Sequence, residues 1–295
     1  MFQKSKKLIS AAILEKHQEI FRCPLCKKTM QVIYLQSLVC SNHHCFDIAK
    51  QGYVNLLSRG MRTKYDKKIF EYRRIISKDG LFNPLYGAVS QIIMNNHLSN
   101  EPIRMLDAGC GEGSHLNNIH TEINRTKPMD LLAVGIDISK EGISSAAAEN
   151  PSAIWCVTDI ANCPFQSQKF EFILNILSPA NYREFQRLLS DHGLVIKVVP
   201  NQDYLKELRE ILYMGSEKQN YSNSLTINHF KKQFNLIDVE SIQYQVNLNT
   251  QLIKPLLGMT PLSWGTSEER IEKVLQLNLK QVTMDFKVLI GSVKS

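Results

Sequence analysis

From residue 103 onward the chain alternates between short apolar runs and longer amphipathic stretches. The runs Ile103–Leu106, Leu131–Ile136, Ala153–Val157, Phe170–Leu177 and Gly193–Val199 are rich in branched and aromatic side chains and read as buried strands. Helix-compatible stretches follow over 114–124, 139–149, 181–190 and 203–213. Strand, turn and helix in repetition predict an α/β fold, a mostly parallel sheet with helices on both faces. Nearer the end, residues 235–248 and 283–291 carry strand-like patterns that suit an antiparallel pair closing one edge of that sheet.

The first quarter of the chain follows a different pattern. Lys4, Lys6 and Lys7 precede the apolar run Leu8–Leu14, which Glu15 and Lys16 then interrupt without a small-residue cleavage site. An amphipathic helix fits better than a signal peptide. No uninterrupted apolar run approaches the roughly 18 to 20 residues that span a bilayer, so a cytoplasmic protein without a membrane partner is expected. Residues 58–80 are polar and basic, which suggests a surface segment and then a helix joining two modules. The expected division is an N-terminal extension (1–22), a small domain (23–58), a basic linker and helix (59–80) and a large domain (81–295).

Composition adds an asymmetry of charge. Residues 1–80 hold 16 Lys and Arg against 6 Asp and Glu, while residues 81–295 hold 19 against 22. A polyanion that contacts the basic quarter is one explanation, because Lys and Arg neutralise phosphates and release their counterions. A solvated basic surface is the other.

Four of the seven cysteines fall within the basic quarter. Cys23 and Cys26 form a Cys-x-x-Cys turn, and Cys40 opens a second turn that contains His43, His44 and Cys45. Two thiolates from one short turn and two more ligands from another complete a tetrahedral zinc shell. The segment is polar and offers no core for reduced cysteines to fill. Spacing alone leaves the fourth ligand open among His43, His44 and Cys45. Four protein ligands leave no open position, which makes such a zinc structural.

The segment Met105-Leu-Asp107-Ala-Gly109-Cys-Gly111-Glu112-Gly113 reads as a strand running into a glycine-spaced turn at the start of a helix. Glycines admit close approach of a ligand to the backbone. Asp107 suits the ammonium of an amino-acid moiety, and Asp137, at the next strand end, suits ribose hydroxyls. Asp159 ends the third strand where an acceptor for the adenine amino group would sit. Together these describe an S-adenosylmethionine pocket at the carboxyl ends of parallel strands. A nicotinamide dinucleotide site fits less well: its third glycine comes one residue later, and its acidic residue follows about 20 positions on, whereas Asp137 lies 28 after Gly109.

Combined with the cysteine turns, the segment Phe46-Asp-Ile-Ala-Lys-Gln-Gly-Tyr-Val-Asn-Leu-Leu57, the basic linker and the later Met259-Thr-Pro-Leu-Ser-Trp264 motif, this pocket resembles the RlmA (RrmA) family of 23S rRNA guanine-N1 methyltransferases. Asn175-Ile-Leu-Ser-Pro179 looks closer to the branch related to tylosin resistance. The resemblance implies a Rossmann-like class I methyltransferase domain with a small N-terminal zinc domain, and methylation of guanine N1 in a hairpin loop of 23S rRNA. It puts the zinc ligands on Cys23, Cys26, Cys40 and His44, and family contacts to S-adenosylmethionine on Gly111, Glu112, Phe82 and Tyr204. It also implies a homodimer through the basic half.

Further expectations concern the acceptor. Asn175 is a candidate to hydrogen-bond the guanine edge. Phe82, Tyr204 and Trp264 are candidate stacking platforms for an unpaired base. Arg59, Arg62, Lys64, Lys67, Lys68, Arg73 and Arg74 would hold phosphates without reading sequence. Two other readings compete: a small-molecule methyltransferase with a structural zinc, and a non-catalytic zinc-bearing RNA-binding protein.

Overall fold

The computed structural model describes residues 5–57, 67–97, 101–277 and 279–294. Arg59, Arg62 and Lys64 lie outside the described residues. The chain opens with helix α1 (Lys6–Lys16), whose Ser5 cap accepts a hydrogen bond from the Leu8 amide. Strands β1 (Met30–Ile33), β2 (Ser37–Cys40) and β3 (Cys45–Asp47) then form a small antiparallel sheet in that order. There follow β4 (Val54–Asn55), α2 (Lys67–Lys78) and α3 (Asn83–Asn96). The remainder is β5 (Ile103–Ala108), α4 (Ser114–Thr126), β6 (Leu131–Asp137), α5 (Lys140–Glu149), β7 (Ile154–Val157), β8 (Phe170–Ile176), α6 (Tyr182–Leu188), β9 (Leu189–Pro200), α7 (Lys206–Leu212), α8 (Ser224–Gln233), β10 (Phe234–Asn247), α9 (Thr250–Met259), α10 (Glu268–Gln276) and β11 (Gln281–Val293).

The large sheet has the order β10-β11-β9-β8-β5-β6-β7-β4. Strands β9 through β4 are mutually parallel, and β11 and β10 run antiparallel at one end. The expected α/β fold with an antiparallel edge pair is the fold observed. Apolar runs in the central strands are explained by burial on both faces: Met105 joins one apolar cluster and Leu106 the other. Helices α3, α4, α5, α7, α9 and α10 contribute to the first cluster. Helices α6 and α8 cover part of the second face, and α1 and the small N-terminal sheet cover the rest.

That last arrangement departs from the expected division into modules. No helix connects β7 to β8, so the apolar side chains Val134, Ile136, Ile154 and Cys156 need another cover. Leu14 of α1, Ile20 and Phe21 supply it, with the Phe21 and Phe165 rings 5.3 Å apart. Ser10 donates to the Pro151 carbonyl at 3.1 Å, tying α1 to the loop before β7. Strand β4, inside the expected 23–58 domain, extends the large sheet by pairing with Cys156 and Val157.

Most helix expectations are met within a residue or two. The stretch 181–190 is shorter as a helix because Leu189 already pairs with Phe170, so the strand expected over 193–199 begins earlier. The stretch 203–213 becomes helical only at Lys206. Among the described residues, no helix is long and apolar enough to cross a membrane.

Candidate methyl-donor pocket and metal centre

Two tight turns build the metal centre. In the first, the Lys27 amide donates to the Cys23 carbonyl and Lys27 adopts a left-handed φ of 63°. In the second, the His43 amide donates to the Cys40 carbonyl, with His43 at φ 59°. His43 therefore makes the corner of the turn and His44 follows it inward, while Cys45 begins β3 exposed. The donor atoms of Cys23, Cys26, Cys40 and His44 all lie within 4.8 Å of one another. Cys26 Sγ is 3.6 Å from Cys40 Sγ, and His44 Nδ1 is 3.4 Å from Cys23 Sγ. Ligands on a tetrahedral zinc shell sit roughly 3.4–3.8 Å apart, so these four residues fit the ion as they stand.

The donor pocket lies over the carboxyl ends of β5, β6, β8 and β9. Its cavity of about 550 Å³ is lined by Gly109, Glu112, Asp137, Asp159, Phe82 and Tyr204, among others. Gly109 adopts φ +87°, and an added Cβ would come within 2.7 Å of Ser178 Oγ, so the turn at the cavity wall needs glycine. Gly111 and Gly113 do not line the cavity. The Gly111 amide donates to Asp137 Oδ2 at 2.9 Å, and Gly113, at φ +82°, leaves room for the Trp155 ring.

Asp107 is buried and does not itself line the cavity. Neither carboxylate oxygen has a hydrogen-bond partner among the described residues. Burial, then the nearby Asp137 and Glu112, pushes its pKa well above the ordinary carboxylate range. A buried acid without a partner, beside a cavity rich in acidic groups, fits a cationic ligand such as the cofactor's ammonium. Asp137 is raised by burial too, although it accepts from the Gly111 and Ser139 amides. Asp159 accepts from the Ala161 amide at 2.8 Å. Phe82 and Tyr204 both pack on Phe286, with ring centroids 6.2 and 5.2 Å away, which fixes them as cavity walls.

Two family models match the chain. Residues 21–59 match the model of the RlmA N-terminal zinc ribbon, and residues 99–252 match a methyltransferase domain. The chain is 39% identical over 274 residues, 92% of its length and 96% of the relative's, to the Bacillus subtilis protein YxjB, named as a candidate 23S rRNA (guanine-N1) methyltransferase. The chain belongs to the RlmA-type 23S rRNA (guanine-N1) methyltransferase family. It is 26% identical to the 23S rRNA (guanine(748)-N1) methyltransferase of Streptomyces fradiae, over 85% of this chain and 88% of that one. As a family member the chain is an S-adenosylmethionine-dependent methyltransferase with a structural zinc ribbon.

For the residue expected to meet the guanine edge, the structure corrects one expectation. Asn175 is fully buried and does not line the cavity. Its Nδ2 faces the carbonyls of Ala108 and Pro179, both at 2.8 Å, and Ser178 Oγ at 2.6 Å, while its Oδ1 accepts from Lys197 Nζ at 2.5 Å. An amide so engaged has no edge to offer a base; it holds the loop after β8. Lys197, which does line the cavity, was not singled out from sequence. Its signal there is a lone charge inside the apolar run Leu194–Val199. His115 also lines the cavity, and burial lowers its pKa to about 4, so it is neutral.

The basic helix divides its charges. Arg73 lines the cavity and Arg74 pairs with Glu149 at 3.4 Å, while Lys67 and Lys68 are exposed. Arg74 therefore docks α2 on α5 instead of waiting for a phosphate. Trp264 is 41% exposed and lies outside the cavity lining.

Proposed function

We propose that this chain methylates N1 of a guanine in a hairpin loop of 23S rRNA, with S-adenosylmethionine as donor. The observation that carries the reading is one cavity at the carboxyl ends of the parallel strands that collects acidic groups and two cations. Glu112, Asp137 and Asp159 line it, and Asp107, which has no hydrogen-bond partner among the described residues, is buried nearby. Arg73, close to Gly111, and the buried Lys197 line the same cavity. In this reading Asp107 meets the cofactor's ammonium, Asp137 the ribose and Asp159 the adenine amino group. Gly109 admits the ligand, Gly111, Glu112 and Gly113 shape and edge the turn, and Phe82 and Tyr204 wall the pocket.

The cofactor supplies an electrophilic methyl group, and the protein's task is to hold acceptor and donor in line. The RNA substrate is supported by the relatives' names and by the excess of basic residues in the first quarter. A ribosomal substrate supports a cytoplasmic location. Assembly as a homodimer through the basic half belongs to the same proposal, and light scattering of the purified protein reads it.

N1 methylation blocks the Watson–Crick edge, so reverse transcription stops at the modified base. Incubating the protein with S-adenosylmethionine and unmodified 23S rRNA is expected to create one new stop at a guanine in a hairpin loop. Methyl transfer to another ring position, or only to small molecules, would overturn the proposal.

A further inference from the structure

We infer that Lys197 is the catalytic residue that removes the N1 proton from the guanine, aimed at it by Asn175 and the Ser178 carbonyl. The inference rests on the guanine-N1 reading above. Guanine N1 carries a proton, and no methyl can be accepted there until it leaves. In the step, the N1–carbon bond forms as the sulfonium carbon–sulfur bond breaks, S-adenosylhomocysteine leaves, and the N1 proton passes to Lys197 Nζ and then to water.

The geometry suits a neutral amine. Lys197 is only 4% exposed and lines the cavity where β8 and β9 end. Nζ donates to Asn175 Oδ1 at 2.5 Å and to the Ser178 carbonyl at 3.2 Å. In the neutral amine, two N–H groups directed at these oxygens leave the lone pair free, whereas the ammonium would carry a third N–H with no acceptor among the described residues. Parallel pairing of Asn175 with Lys197 fixes the first contact in the sheet itself.

Among the described residues no carboxylate forms an ion pair with this lysine. Burial alone lowers its pKa, to about 8. Roughly one molecule in ten is then neutral at pH 7, enough for a general base matched to its working pH. The strands beside it contribute Glu171 from β8 and Asp285 and Lys287 from β11. Asp285 already accepts hydrogen bonds from Asn201 and Asp203.

Other titratable groups on the cavity are committed elsewhere. Asp137 and Asp159 accept backbone amides, and Glu112, whose pKa burial raises against the opposing charge of Arg73, lies beside that cation. His115 Nδ1 lies 3.2 Å from the Tyr86 hydroxyl. Burial raises the Tyr204 and Tyr221 hydroxyls, which keeps them protonated.

The test compares wild type, Lys197→Met and Lys197→Arg in single-turnover methylation of a 23S rRNA hairpin across pH. Lysine side-chain NMR titration of the wild type supplies a reading independent of turnover. The wild-type rate is expected to rise with unit slope and level near pH 8, and the Lys197 resonance to titrate there. Both variants should lose about 100-fold at pH 7, with unchanged S-adenosylmethionine affinity and zinc content. The deficit should shrink at alkaline pH, where guanine N1 ionises unaided. An arginine variant at wild-type rate, a methionine variant with the wild-type pH profile, or a Lys197 that titrates as an ordinary lysine overturns the inference. A wild type that leaves guanine N1 unmethylated overturns the functional reading and this one with it.

Discussion

A carboxyl group buried without a hydrogen-bond partner, as at Asp107, disfavours its own ionisation and so destabilises the ligand-free protein as pH rises. The folded pKa is raised, so above the ordinary value near 3.8 the unfolded chain has released a proton that the folded chain still holds. Stability contributed by this group is present below the unfolded pKa and falls as pH rises through the folded one. Asp107→Asn is expected to leave the ligand-free melting temperature at neutral pH unchanged or raised. It should weaken S-adenosylmethionine binding roughly 10- to 100-fold, the range of one charged hydrogen bond. Calorimetric titration and a thermal melt read both; unchanged affinity would remove Asp107 from the site. Gly113→Ala should behave oppositely, because its Cβ would sit 2.5 Å from the Trp155 ring at φ +82°. A loss of about 1–3 kcal/mol in chemical denaturation is expected. Asp137 and Asp159, which line the cavity, were legible in the sequence as candidates because they lie at or just past the ends of β6 and β7. Lys197 was not, since a lone charge in an apolar run does not reveal which face it takes or what meets it there.

At the scale of elements, the zinc ribbon and α1 replace a crossover helix over β6 and β7. The metal therefore supports the large sheet as well as the ribbon. Cys26→Ser, or chelation of the wild type, is expected to release the zinc and lower stability by several kcal/mol. It should also expose apolar surface to a hydrophobic dye. Metal analysis, a thermal melt and dye fluorescence check this; an intact melting temperature after zinc loss would make the ribbon an independent appendage. Periodicity made the strands and most crossover helices legible, because burial on two faces leaves continuous apolar runs. It did not reveal what covers the second face. The residues that do so, Leu14, Ile20 and Phe21, precede β7 by more than a hundred positions, and local pattern carries no address for so distant a contact.

Across the whole molecule, charge divides between a basic first quarter and a mildly acidic remainder. Arg59, Arg62 and Lys64 lie outside the described residues and add three positive charges to the basic quarter, whereas Arg74 is committed to Glu149. Replacing the first three together with alanine should weaken RNA binding and flatten the slope of log affinity against log salt by about 2–3. Replacing Arg74 should instead loosen α2 from α5 and lower stability. Fluorescence titration at several salt concentrations distinguishes these effects, and an unchanged slope would contradict the electrostatic assignment. The zinc ribbon, the acidic donor pocket and the buried lysine gain a common purpose only if the acceptor is a guanine in ribosomal RNA. Mass mapping of 23S rRNA from cells with and without the gene tests this most directly. The account predicts that one hairpin-loop guanine loses a methyl group, restored by the wild-type gene and not by the Lys197→Met variant. An identical methylation map in both strains would contradict it.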